Sequence, residues 1–188
     1  MKKLLYIVIL VLAVFAAIFL VRRGESNATN NDVLVAYFSA TGNTKSVAEK
    51  LSNVIGADLF EIIPEQVYTA DDLNWHNDKS RSSVEMADKN SRPKIASNVK
   101  DMSKYKVVFV GFPIWWGREP SIIDTFLTSY DFNGKTIIPF ATSGSSSIGD
   151  SGKNLQAIAP NAKVLPGKRF ATDVSAEDLK SWAETQMQ

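Results

Sequence analysis

Residues 33–51 run Val33-Leu-Val-Ala-Tyr-Phe38, Ser39-Ala-Thr-Gly-Asn-Thr44, Lys45-Ser-Val-Ala-Glu-Lys-Leu51. The first six are apolar, as in a strand buried on both faces. The last seven begin a helix over Thr44 to Ile55. Val47, Ala48, Leu51, Val54 and Ile55 share one face of it, and Gly56 ends it. Between strand and helix lie hydroxyls and a single glycine. Free N–H groups at a helix start, together with the positive end of the helix dipole, attract an anion. Ser39, Thr41 and Thr44 each add a hydroxyl donor. Gly42 lets the backbone approach a phosphate closely. The competing reading is an ordinary helix cap by Asn43 or Thr44. Other phosphate motifs fit less well. Gly152-Lys153 is followed by Asn154 and lacks the upstream glycine of a Walker A loop. No Gly-x-Gly-x-x-Gly occurs.

The same alternation continues. Apolar runs at Ala57–Ile63, Lys106–Phe112, Lys135–Ala141 and Ala162–Leu165 read as strands, the last resuming near Arg169-Phe170. Helical stretches read over about Asp78–Asn90, Pro120–Ser129 and Ser151–Ile158, with a last helix opening at Ser175. Five strands alternating with five helices define an α/β, doubly wound parallel sheet with helices on both faces. Ligands of such sheets sit at the C-terminal strand ends. The loops at that edge are therefore read as one site.

The loop after the third strand is Pro113-Ile114-Trp115-Trp116-Gly117-Arg118-Glu119. One indole can bury while the other stacks on a flat ligand. Gly117 offers a backbone position that can flip or approach closely. Arg118 and Glu119 read as a surface salt bridge, or Glu119 as a helix-start acid. The loop after the fourth strand, Thr142-Ser143-Gly144-Ser145-Ser146-Ser147, suits a polar ring edge. Phosphate, flat aromatic system and polar rim together specify flavin mononucleotide (FMN).

On these residues the sequence resembles the flavodoxin family over positions 32 to 188. The resemblance implies a five-stranded sheet in order 2-1-3-4-5 with FMN at the strand ends. It implies that Ser39, Thr41, Gly42, Asn43 and Thr44 hold the phosphate. Pro113, Ile114, Trp115, Trp116 and Gly117 would line the isoalloxazine, and Thr142, Ser143 and Gly144 would meet its far edge. The segment from Tyr68 through Arg92-Pro93 is longer than electron-carrier flavodoxins need. It resembles a bacterial flavodoxin-like subgroup.

Composition narrows the function. The chain has 188 residues and no cysteine, which excludes disulfides, thiolate catalysis and iron–sulfur clusters. Its one histidine, His76, lies in a polar segment and reads as solvated. A multi-histidine metal site is impossible. Leu4 to Val21 is eighteen residues without a charge, flanked by Lys2-Lys3 and Arg22-Arg23. It reads as a retained membrane anchor (residues 1–23). The alternative is a signal peptide cleaved near Ser26-Asn27-Ala28. Residues 24–32 then form a polar tether to a domain over 33–188. A short basic N-terminal tail places that domain outside the membrane. Secretion after cleavage, or a cytoplasmic face, are the alternatives. Of the net charge of +1, four positive charges precede Gly24, so the remainder carries −3. This mildly acidic balance argues against broad nucleic-acid binding, which needs a basic face.

Two functions compete. One is a membrane-tethered electron carrier for a redox partner protein. The other is an FMN-dependent NAD(P)H:quinone-type oxidoreductase whose Pro64–Lys104 segment walls a pocket for a small quinone-like acceptor. A non-enzymatic binding module of the same fold is a third reading. No catalytic acid–base residue is required for one-electron transfer.

Overall fold

A computed structural model describes residues 30–188. The anchor expected over 1–23 and most of the tether lie outside the described residues. Among the described residues no helix is long and apolar enough to cross a membrane.

The chain runs β1 (Asn30–Tyr37), α1 (Asn43–Ile55), β2 (Ala57–Glu61), α2 (Arg81–Ala87), β3 (Val107–Pro113), α3 (Ser121–Thr128), β4 (Thr136–Thr142), α4 (Ser151–Ile158), β5 (Lys163–Val164), β6 (Lys168–Phe170) and α5 (Ala176–Gln186). The sheet order is β2-β1-β3-β4-β5, with β6 also on β4, and every pairing is parallel. This is the doubly wound order expected. β1 begins three residues earlier than expected, so Asn30 to Asp32 belong to the strand and not to the tether. Asp32 O accepts from Lys106 N at 2.8 Å.

Alternation in β1 divides the core. Val33, Val35 and Tyr37 face α1 and α5, packing with Val47, Leu51, Leu179 and Ala183. Leu34, Ala36 and Phe38 face the other way, with Ile122, Phe126 and Leu155 of α3 and α4. Helices thus cover both faces, and the five central residues of β3 are all buried.

Helix ends explain the differences from the expected bounds. α2 is shorter than Asp78–Asn90. Ser80 caps it, accepting from Ser83 N at 3.3 Å, and an Asx turn from Asn90 N to Asp88 Oδ1 (2.8 Å) closes it. Pro120 stands at the N-cap of α3 instead of in its first turn.

The edge strand is interrupted opposite Pro139. Ile137 O accepts from Leu165 N at 2.9 Å, so Pro139, two residues on, also faces this edge. Its missing N–H therefore points at the break, Leu165-Pro166-Gly167. Gly167 crosses it at φ 78°, where a Cβ would lie 2.3 Å from Pro139 O. Before the break Ile137 pairs with Val164; after it Phe140 pairs with Lys168 and Ala141 with Arg169. The edge has gained one residue relative to β4.

Candidate functional site

The turn after β1 is a helix entry without a side-chain cap. Gly42 occupies the N-cap of α1 at φ 86°, and its backbone O accepts from Ser46 N at 3.0 Å. The capping reading for Asn43 and Thr44 does not hold, since both lie inside the helix. The left-handed backbone is what requires glycine here. A Cβ on Gly42 would meet nothing within 4 Å. Thr44 is buried, and its Oγ1 lies 2.8 Å from Thr142 Oγ1 at the end of β4.

Ser39, Ala40, Thr41, Asn43 and Thr44 of this turn line a cavity of about 370 Å³. Pro113, Ile114 and Trp115 wall it from the β3 loop, and Thr142, Ser143 and Gly144 from the β4 loop. Ten of the residues expected from sequence therefore meet in one place. Arg169, Ala171 and Thr172 complete the lining, and sequence reasoning missed them. Arg169 is the one charged side chain among these lining residues.

An adjoining cavity of about 680 Å³ shares Thr41, Ile114, Trp115 and Ser143 with the first. Trp116 and Ser145 line it from the loops, and Leu73, Trp75 and Ser82 from the segment before β3. Part of the long Pro64–Lys104 segment thus lies beside the first cavity. Gly42 and Gly117 line neither cavity.

The β3 loop is a tight reversal. Trp115 N donates to Arg118 O at 2.9 Å, and Arg118 N returns a bond to Trp115 O at 3.1 Å. Trp116 has φ 47° and Gly117 φ 81°. Two successive positive φ values make this a type I′ turn. Gly117 suits it; Trp116 is strained, at a cost of about 1–3 kcal/mol. Trp116 is 51% exposed, so core packing does not offset that cost. Trp115 is half-buried and held edge-on by Phe38 (5.5 Å, 88°) and Tyr68 (5.3 Å, 84°). Tyr68 in turn donates to Glu85 and lies under Arg81 at 4.1 Å. Burial and that carboxylate push its phenol pKa well up, so it stays a neutral donor.

Arg118 and Glu119 are not a surface pair. Glu119 is buried and accepts from Asn154 Nδ2 at 3.3 Å. Arg118 Nη1 lies 3.7 Å from both Glu119 and Asp124, and its Nη2 donates to Ser121 Oγ (3.3 Å) and Met86 O (3.5 Å). The cation joins α2, α3 and the turn. Asp124 is buried with Oδ1 lacking a hydrogen-bond partner. Burial, then the charge of Glu119, push its carboxyl up to about 6, against the pull of Arg118 and Arg92. His76 is exposed and its ring lies tilted against that of Trp75 (3.4 Å, 34°). Among the described residues no group of carboxylates and histidine could hold a metal ion.

A parallel sheet in this order, with a hydroxyl-lined turn after β1 and aromatic loops at the same edge, defines a flavodoxin-like α/β protein. The chain belongs to the flavodoxin family, whose sequence model matches residues 32–186. It is similar to a flavoprotein candidate from Bacteroides eggerthii, at 45% identity and TM-score 0.80, covering 85% of this chain and 99% of that one. A second, from Bacteroides uniformis, is 46% identical with TM-score 0.78, covering 82% and 98%. A Lactobacillus acidophilus flavoprotein solved in complex with FMN shares the fold at 21% identity and TM-score 0.61, covering 81% and 99%. No curated protein matches the chain.

Proposed function

We propose that the protein is an FMN-binding electron-transfer flavoprotein. The observation that carries this reading is the join between the two cavities. One is lined by hydroxyls and an uncapped helix start; the other is lined by indoles and small polar residues. A phosphorylated flat ring needs both, side by side. The Lactobacillus acidophilus relative, solved with FMN, supports the same ligand.

On this reading Ser39, Thr41, Asn43 and Thr44 would hold the phosphate, with the backbone around Gly42. Pro113, Ile114, Trp115 and Trp116 would line the ring, and Thr142, Ser143 and Gly144 its polar edge. Bound FMN supplies the redox chemistry, and the chain supplies position and field. The strained turn brings Trp116 to the cavity wall, where it would meet the ring, while Gly117 supports the turn from outside the cavity. Trp115, wedged between Phe38 and Tyr68, presents a fixed wall. Leu73 and Trp75, which line the outer cavity, would contact the ring from the side of that segment. The membrane tether remains part of the proposal, resting on the uncharged run Leu4–Val21. Tethering raises the effective concentration of a membrane-bound redox partner.

The second cavity favours one further reading, an FMN-dependent NAD(P)H:quinone-type oxidoreductase. Its volume and the wall from Leu73 and Trp75 leave room for a small flat acceptor. Purified full-length protein, supplied with FMN and titrated anaerobically with NADPH, tests both. Rapid bleaching of the flavin band supports the reductase. Bleaching by dithionite alone supports the carrier. Protein that takes up no FMN ends both readings.

A further inference from the structure

Arg169 is the one charged side chain lining the smaller cavity, and it is half-buried. Its guanidinium is held in place by neutral acceptors. Nε donates to Ser143 Oγ at 3.3 Å, and Nη2 donates to Ser143 O at 2.6 Å and to Gly144 O at 3.2 Å. None of the ion pairs among the described residues includes it. None of its described bonds uses Nη1. The fork is thus oriented by the β4 loop while its charge stays uncompensated. A partly desolvated cation without a counterion is costly by itself. A ligand anion in the cavity would remove that cost.

We propose that Arg169 is the counter-charge for an anionic group of the bound mononucleotide, and so a specificity-determining residue of the site. The inference rests on the FMN reading above. Two groups of that ligand carry the required charge: the phosphate, and the ring edge that becomes negative on reduction. The remaining lining side chains offer hydroxyls, an amide and apolar surface, all neutral. Among the lining side chains, charge selectivity therefore falls to Arg169, beside the dipole of the helix start. A guanidinium donates to either group as a charge-assisted hydrogen bond.

The experiment measures dissociation constants of FMN and of riboflavin by flavin fluorescence, and the two-electron midpoint potential. Full-length wild type is compared with Arg169→Gln and Arg169→Lys. If the anion is the phosphate, Arg169→Gln weakens FMN roughly ten- to hundredfold and leaves riboflavin unchanged. If it is the reduced ring, oxidised FMN binds as before and reduced FMN binds about tenfold more weakly. That lowers the midpoint potential by about 30 mV. In either case Arg169→Lys, which keeps the charge, recovers most of the effect. The proposal is overturned if Arg169→Gln matches wild type in affinities and potential. It is equally overturned if FMN and riboflavin weaken by one factor that Lys does not restore, since that is loss of loop support. Wild type that binds neither ligand removes the FMN reading, and this inference with it.

Discussion

Thr44 and Thr142, 98 residues apart in sequence, share a buried hydroxyl–hydroxyl bond of 2.8 Å. It ties the first turn of α1 to the end of β4 and so fixes the turn after β1 against the β4 loop. Each hydroxyl has the other as its described side-chain partner. Thr142→Val strands the Thr44 hydroxyl, and the expected cost is about 1–3 kcal/mol. The double change Thr44→Val, Thr142→Val is expected to cost clearly less than the sum of the single ones. Urea unfolding of the three variants checks this, and additive costs would count against a coupled pair.

Two glycines fail on substitution for different reasons. A Cβ on Gly111 would lie 2.2 Å from Cζ of the fully buried Phe140. Gly111→Ala is expected to cost about 3 kcal/mol through overpacking. Gly117 has open space around it but φ 81°. Gly117→Ala is expected to cost about 1–2 kcal/mol, all of it conformational. Denaturation midpoints should rank the two variants in that order.

Asp124 makes the fold sensitive to mild acid in an unusual direction. Its carboxyl is raised from 3.8 to about 6, first by burial and then by Glu119. Between these values the unfolded chain has lost the proton and the folded chain keeps it. Stability from this group is therefore fully present below about pH 4 and is lost as pH rises to about 6, by about 3 kcal/mol. Carboxylates whose pKa is lowered, such as Asp58 and Asp72, slope the other way. The difference between wild type and Asp124→Asn is thus the quantity to follow. The variant should gain on wild type from pH 4 to pH 6.5, and a pH-independent difference would exclude the effect.

Trp75 is 65% exposed and contributes little to the core. Trp75→Ala is expected to change folding stability by less than about 0.5 kcal/mol. Its indole lines the cavity assigned to the ring, so the loss of one aromatic contact should weaken flavin binding by about 1 kcal/mol. FMN and riboflavin should suffer alike, because the phosphate end is untouched. Weakening of FMN alone would place Trp75 elsewhere in the site.

The strand–turn–helix over residues 33–55 was legible because each part is locally determined. Six apolar residues, one glycine at a left-handed position and an amphipathic run need no distant partner. The edge rule for parallel sheets then brought Pro113–Trp115 and Thr142–Gly144 into the same cavity. Arg118 and Glu119 were misread because adjacent opposite charges look solvated. Their partners Asp124, Asn154 and Met86 come from three separate helices. Arg169 escaped for a similar reason. Its place depends on a strand register that no local pattern reveals.

The interruption opposite Pro139 adds one residue to the sheet edge, and side chains alternate faces residue by residue. Ala141 pairs with Arg169 and Thr142 with Phe170, so Phe170 enters the α1/α5 core while its neighbour faces the other side. An uninterrupted edge would set Arg169 opposite Thr142 and exchange their roles. The cation would then be driven into hydrocarbon, and the ring would be turned outward. A proline that cannot donate one hydrogen bond thus acts as a parity switch, deciding which of two consecutive side chains belongs to the core and which lines the cavity.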